Sequence, residues 1–370
     1  MHLHSLFLRD FRNFLEQRFE FGPGFNILTG RNAQGKTNVL ESIAVLSTGK
    51  SFRTSENTDL IAWQGGPTTV FAHVSHEHGE DEWKFTLFSK EKSLERNGKP
   101  ISPRSRHALA TVLFSPEEIL LIRESPSHRR NYVDHLLSRF IIGYSAMVRS
   151  YEKVVAQRNR LLGDEFMPAA RRQDLLSPFN QQLVDIGTKI VGYRQVWTVR
   201  LNEELALQYA AFAENDDAAS LHYMPFFGET AVGCVPDLFW QRLAERREDE
   251  CLRRVSLVGP HRDDFVPKLG SLSVRHFGSQ GQHRSFVLAL KMAEMELTRK
   301  ILGYAPILLL DDVASELDEA RNRHFFDYLQ HASGIQVFVT TTDLKLLKVS
   351  TWNRVRCYDV IAGKASPRPV

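Results

Sequence analysis

The run Gly30-Arg31-Asn32-Ala33-Gln34-Gly35-Lys36-Thr37 has the spacing of a loop that wraps a polyphosphate. Its glycines let the backbone curl so that successive N–H groups face phosphate oxygens, and a helix starting at its end adds a positive N-terminal dipole. In that chemistry Lys36 neutralises the β- and γ-phosphates, and Thr37 gives its hydroxyl to Mg²⁺. Asn38, the next residue, falls within the same nucleotide-binding stretch. A second stretch, Ile307-Leu308-Leu309-Leu310-Asp311-Asp312, is an apolar run ending in paired carboxylates. A buried strand there would carry Asp311 to the metal, directly or through water. A third, Phe277-Gly278-Ser279-Gln280-Gly281-Gln282-His283-Arg284-Ser285, is a small-residue loop before a helical pattern. It offers another anion cradle from backbone N–H groups and the Ser279 hydroxyl.

A phosphate loop needs a strand before it and a helix after it. Residues 25–29 form a short apolar strand, and Val39, Ile43 and Leu46 fall on one face of a helix over 37–47. Residues 3–8 and 19–21 read as strands, the second followed by the turn Gly22-Pro23-Gly24. Residues 68–76 and 83–89 read as two more, around His78-Gly79-Glu80. Further on, 307–310 and 335–340 are buried strands separated by a helix over 319–331, with strand character also near Val255.

The middle of the chain changes period. Apolar residues recur at threes and fours from Val133 to Leu161, break at Gly163 and Pro168, and resume from Phe179 to Leu205. That predicts a long antiparallel helical hairpin of ~45–50 Å per helix, with another helix over 237–254. The fold class is therefore α/β: a P-loop ATPase head assembled from both chain ends, with an inserted α-helical hairpin domain. The predicted boundaries are 1–114, 115–254 and 255–370, the last residues, 363–370, being a loose tail.

Composition sets the surroundings. A net charge of +3 with pI ≈ 8.7 permits a nucleic-acid partner without demanding one. Cys234, Cys251 and Cys357 lack CxxC spacing, which excludes a zinc cluster and suggests a reducing compartment. No apolar run approaches the ~18–20 residues that span a bilayer. The start of the chain lacks the cationic-then-apolar order of a secretory signal. The expectation is a cytoplasmic protein without a membrane partner.

Ser279, Gly281 and Gln282 resemble the serine, second glycine and glutamine of the LSGGQ signature of ABC ATPases, in the same order relative to Asp311. That resemblance implies that the loop caps the γ-phosphate on a second chain, so that two chains enclose two ATP molecules. It also puts Asp312 where those enzymes hold a general base for the attacking water. Aspartate is one methylene shorter than their usual glutamate, which implies slow hydrolysis. Ala314-Ser315-Glu316-Leu317-Asp318 resembles their D-loop, and Ser315 could equally cap the next helix.

The whole set is similar to the SMC/ABC repair ATPases, and in detail to the RecF family. The matching residues are Leu8-Arg9-Asp10-Phe11-Arg12-Asn13-Phe14, the loop form GxNxxGKT, Lys50-Ser51-Phe52-Arg53, Phe114-Ser115-Pro116-Glu117 and Gly259-Pro260-His261-Arg262-Asp263-Asp264. The likeness runs through essentially the entire chain. It implies ATP and Mg²⁺ as cofactors, a homodimer formed on ATP binding, and weak DNA-dependent ATPase activity. It further implies binding of double- and single-stranded DNA at gap junctions, with RecO and RecR as partners in loading RecA. Arg53, Arg104, Arg106, Arg129, Arg130, Arg149, Arg171 and Arg172 are the candidate basic contacts. Two departures stand out. Thr340-Thr341-Thr342-Asp343 replaces the histidine of ABC transporters, making Thr342 or Asp343 the expected γ-phosphate or water contact. No Q-loop glutamine is evident, and residues 115–117 take its place.

Two other classes share the glycine loop. A nucleotide-binding subunit of an ABC transporter would have the histidine and glutamate missing here. A monomeric P-loop kinase would leave Ser279 to Gln282 without a purpose.

Overall fold

The computed structural model describes residues 1–54, 56–63, 65–77, 79–89, 91–102, 109–212, 217–229, 233–332, 334–347, 352 and 354–369. The chain divides into two compact units. One comprises Met1–Ile119, Ala211–Glu214 and Arg284–Val370; the other comprises Leu120–Ala210 and Asn215–His283.

The first unit holds two six-stranded sheets. One is antiparallel, in the order Phe14–Glu20, His2–Phe11, Thr68–His76, Gly79–Phe88, Glu91–Arg96, Lys99–Pro100. Its strands alternate: Val70, Ala72 and Val74 are buried, as are Trp83, Phe85 and Leu87, while the residues between them reach solvent to differing degrees. The other sheet has the order Lys364–Arg368, Val355–Ile361, Phe25–Thr29, Val337–Thr341, Ile307–Leu310, Thr111–Phe114. All of its pairings are parallel except the first. Phe25–Thr29 from the start of the chain thus lies between two strands from its end, with Thr29 in register with Thr341 and Asp359. Phe25–Thr29, Val337–Thr341 and Ile307–Leu310 are buried at every position, as expected of a parallel sheet covered on both faces.

What covers it explains the sequence periods. Val39, Leu40, Ile43, Val45 and Leu46 of helix Lys36–Thr48 join one core with Leu6, Leu8, Val70 and Phe85 of the antiparallel sheet and Leu309, Phe338 and Val360 of the parallel one. On the opposite face Leu288, Met292 and Met295, with Phe325, Phe326 and Leu329 of helix Glu319–His331, cover Ile27, Leu308, Leu310 and Val339. The chain ends are also stitched by side chains. Gln336 Nε2 donates to Leu3 O at 2.9 Å and Gly22 O at 2.8 Å, and Gln336 Oε1 accepts from Leu3 N at 2.7 Å.

The second unit carries the helices Pro126–Phe140, Tyr144–Gly163, Ala169–Phe212, Val235–Glu245 and Arg247–Arg253. Tyr144–Gly163 and Ala169–Phe212 run antiparallel: Tyr144 meets Tyr193, and Arg158 Nε donates to Asn180 Oδ1 at 2.8 Å. The expected hairpin differs in detail. Its first limb is broken at Ile141 to Gly143, where Gly143 takes a left-handed φ of 84° and starts a new helix. Its second limb has 44 residues and runs through Pro178, about 66 Å in all, longer than its apolar pattern implied.

Three further expectations are corrected. Ala219–Met224 and Asp264–Leu269 pair antiparallel in a sheet of their own with Leu272–Ser273, so residues 255–283 belong with the second unit rather than with the C-terminal part of the head. Lys364–Arg368 is not a loose tail but an edge strand against Val355–Ile361, because Asp359 faces Ser366 in a tight hairpin turned at Ala362 and Gly363. The cap of helix Glu319–His331 is Asp318, which accepts from Arg321 N at 2.9 Å, rather than Ser315.

The Gly259-to-Asp264 stretch organises the interior of the second unit. Asp263, fully buried, accepts from Arg194 Nη1 (2.7 Å), Tyr223 OH (2.6 Å) and Phe226 N (2.9 Å). Arg194 also donates to Asp134 Oδ2 and Pro260 O, each at 2.7 Å. Burial pushes the Asp263 carboxyl upward, and the Arg194 guanidinium opposes that shift. Removing one partner of such a group strands a buried charge. Arg194→Ala is therefore expected to lose about 3–5 kcal/mol of stability in urea unfolding. A loss within the ~1 kcal/mol of an exposed pair would show the network to be dispensable.

Candidate functional site

The glycine loop leaves the strand Phe25–Thr29 and ends in helix Lys36–Thr48, the arrangement its sequence demands. Two glycines are there for steric reasons. Gly30 has φ 150°, and a Cβ on it would lie 2.4 Å from Val360 O. Gly35 has φ 116°, with Asn13 Nδ2 only 2.7 Å from the same position. Lys36 is buried, and its Nζ donates to Gly30 O at 2.7 Å and Arg31 O at 3.0 Å, bending the loop around the ammonium. Burial lowers its pKa, while the Asp312 and Asp311 carboxylates pull it back up.

The strand Ile307–Leu310 ends at Asp311, which is held by two hydroxyls. Thr37 Oγ1 and Thr340 Oγ1 both donate to Asp311 Oδ1 at 2.8 Å, and Asp311 N donates to Phe114 O at 2.8 Å. Burial raises the Asp311 carboxyl's pKa, and these hydroxyl bonds work against the rise. Asp312 turns into the left-handed region at φ 50°, unusual for a residue with a side chain, and its N–H donates to Thr340 Oγ1 at 2.9 Å.

These groups line one open cleft of about 410 Å³, together with Asn32, Ala33, Gln34, Gly35, Asn38, Arg12, Arg53, Asp59, Ile61 and Trp63. That is within the size range of small-molecule sites. Arg31, by contrast, is exposed and contributes its carbonyl to Lys36. A polar chain fixes the loop's flank. Asn13 Nδ2 donates to Gln34 O at 2.9 Å, Asn38 Nδ2 to Asn13 Oδ1 at 2.8 Å, and Arg53 Nη1 to Asn38 Oδ1 at 2.9 Å. Beneath it Glu41, fully buried, takes both Arg12 nitrogens at 2.9 and 2.6 Å and the Ser51 hydroxyl. The hairpin turn at Ala362 and Gly363 closes over Gln34: Gly363 N donates to Gln34 O at 3.1 Å and Ala362 N to Gln34 Oε1 at 2.8 Å.

Two of these residues were not legible beforehand. Asn13 lies in a turn far from the loop in sequence, and Thr340 is one threonine of three. Thr342 and Asp343, expected near the γ-phosphate, are both exposed and not among the lining residues; Thr340 occupies the cleft. Glu117, in the expected Q-loop segment, adds to the upward shift of Asp311.

Ser279, Gly281 and Gln282 lie in the second unit. Ser279 is exposed and opens helix Gln280–Leu302 with a reciprocal cap: Gln282 N donates to Ser279 Oγ at 3.2 Å, and Ser279 N to Gln282 Oε1 at 2.8 Å. The basic candidates divide. Arg129 is buried, bound by both nitrogens to Asp264 at 2.8 and 3.0 Å, which makes it a packing group rather than a surface contact. Arg130 donates to Asp263 O at 2.7 Å, and Arg172 to Met167 O at 3.1 Å. Arg149 and Arg171 are exposed, and Arg104 and Arg106 lie outside the described residues.

A phosphate loop on a parallel sheet built from both chain ends, flanked by an antiparallel sheet, defines a P-loop ATPase head of the ABC/SMC class. The RecF/RecN/SMC N terminal domain model matches residues 2–362. The DNA replication and repair protein RecF of Symbiobacterium thermophilum is 36% identical over 359 residues, covering 95% of this chain and 94% of that one. That of Clostridium kluyveri is 33% identical over 99% of this chain and 100% of its own length. A solved structure of the recombination mediator protein RecF with ATP, in the RecFOR pathway, superposes with a TM-score of 0.88 at 30% identity over 100% of this chain and 98% of that one. An Smc head domain from Pyrococcus furiosus shares the fold, with a TM-score of 0.58 at 15% identity. The chain belongs to the RecF family. Among the described residues no helix is long and apolar enough to cross a membrane.

Proposed function

We propose that this chain is an ATP-switched DNA-repair protein of the RecFOR pathway, binding ATP in the cleft around Lys36 and using it to join two copies on DNA. The observation that supports this most directly is the convergence of Thr37, Asp311 and Thr340 beside the caged Lys36. On nucleotide binding Lys36 exchanges the Gly30 and Arg31 carbonyls for phosphate oxygens. The Thr37 hydroxyl and Asp311 carboxylate are hard oxygen donors meeting at one point, a donor set suited to Mg²⁺ with phosphate and water completing its shell. Such a cation neutralises phosphate charge when bound. Asp312, lining the same cleft, orients and deprotonates water slowly. The chain then serves as a switch more than as a fast enzyme.

The exposed Ser279 cap is the surface offered to a second copy, whose γ-phosphate it receives at a helix N-terminus. Both DNA forms at a gap junction are the proposed substrate, with RecO and RecR as partners, as the RecFOR membership of the ATP-bound relative suggests. DNA retention measured with and without ATP, alongside particle mass, tests the reading. Retention should appear with ATP as a doubled mass and should fall steeply with salt. ATP-independent retention by a monomer would overturn it. Ser279→Arg should leave ATP binding to the monomer unchanged and prevent the doubled mass; lost monomer binding would misplace the loop.

A further inference from the structure

We propose that Trp63 is the base platform of this nucleotide site, its indole stacking on the adenine ring of the ATP whose phosphates the glycine loop holds. The proposal deepens the ATP-binding reading above and rests on it. Trp63 is wholly solvent-exposed, at 103% of its reference area, although an indole is among the costliest side chains to leave in water. It lines the same cleft as Lys36, Thr37 and Asp311, and among that cleft's described lining residues it alone is aromatic. Ile61, two residues earlier and partly buried, lines the cleft as well, so an apolar strip borders the polar loop.

The segment that carries the indole is held in place. Phe11 and Ile61 form an antiparallel bridge. Arg12 N donates to Leu60 O, and Ala62 N to Asp10 O, each at 2.9 Å. Gly65 N closes a turn on Ala62 O at 2.9 Å, and Thr68 Oγ1 donates to the same Asp10 carbonyl at 2.6 Å. Bonds on both sides of Trp63 thus anchor a fully exposed indole at the edge of a polar cleft. The loop residues account for phosphate and metal, and none offers a flat apolar face. A triphosphate held by them alone leaves its base in water. Aromatic stacking supplies that missing contact for any base and is strongest for a purine.

Binding of ATP, CTP and inorganic tripolyphosphate, each with Mg²⁺, is to be compared by calorimetry in the parent chain, Trp63→Ala and Trp63→Phe. Trp63→Ala should weaken ATP about tenfold, spare tripolyphosphate, and reduce the preference for ATP over CTP. Trp63→Phe should recover most of the loss. ATP should quench tryptophan fluorescence in the parent and much less in Trp63→Phe. Unchanged ATP affinity in Trp63→Ala, or equal losses for ATP and tripolyphosphate, overturns the platform. A parent chain that binds tripolyphosphate as tightly as ATP also overturns it, while leaving the glycine-loop reading intact. A parent chain that binds neither removes both.

Discussion

Lys36→Ala is expected to fold like the parent chain and to bind ATP at least about a hundredfold more weakly. The ammonium contributes charge-assisted hydrogen bonds worth about 1.5–3 kcal/mol each. Two of them to phosphate oxygens amount to roughly 3–6 kcal/mol, or two to four powers of ten in affinity. The same side chain makes little difference to the unliganded fold. Lys36 itself lines an open cleft, from which water can replace its ammonium at the Gly30 and Arg31 carbonyls. Burial already makes its charged form less comfortable than that of an exposed lysine, and the Asp312 and Asp311 carboxylates offset only part of that. Thermal melting with and without ATP separates the two effects. The parent chain should gain about 2.7 kcal/mol at a hundredfold excess over its Kd, whereas the variant at the same ATP concentration should gain at most about 0.4 kcal/mol. With ATP lost, the nucleotide-dependent dimer should go too. A variant that still forms the doubled species would show that the dimer does not depend on this loop.

How much of this site was open to sequence reasoning follows from how far each contact reaches along the chain. The glycine loop, its strand and its helix are local, and the loop's sequence specifies all three. Ile307–Leu310 was equally legible, since four apolar residues before two aspartates leave little choice but a buried strand end. Asn13 and Thr340 were not, because each becomes meaningful only when separate strands meet: Asn13 with Gln34 and Asn38, and Thr340 with Asp311. Gln336, bonded to Leu3 across 333 positions, carries no local signal at all. The edge strand Lys364–Arg368 was misread for a related reason. Its residues are mostly exposed and polar, and only its pairing with Val355–Ile361 orders it. The helical period in the middle of the chain was correct, but Gly143 and Pro178 show its weakness. One helix stops at Phe140 and a new one starts after Gly143 where the pattern would have continued, and the second limb runs on through a proline that usually breaks a helix. The Gly259-to-Asp264 stretch suggested function and turned out to hold the buried charges of the second unit together.

Asp312→Asn provides the sharpest test of chemistry, because the backbone there constrains which replacements are informative. Asp312 sits at φ 50°, ψ 27°, a conformation that asparagine tolerates about as well as aspartate and most other residues do not. The substitution therefore keeps shape and backbone and removes only the charge and the ability to take a proton. Its N–H remains bonded to Thr340 Oγ1, so the Asp311 site beside it should stay assembled. A positioned general base contributes about 10²–10⁴ in rate. Steady-state ATP turnover should thus fall at least about a hundredfold, while ATP affinity changes little and the ATP-bound dimer on DNA becomes long-lived. The remaining electrostatic effect acts in the opposite direction on Lys36, which loses one of the two carboxylates holding its pKa up. Its pKa should drop further in the variant, so any weakening of ATP binding should grow toward alkaline pH, where the lysine begins to lose its proton. Turnover equal to the parent's would remove Asp312 as the base and leave water activation to a group outside the Asp311–Thr340 pair.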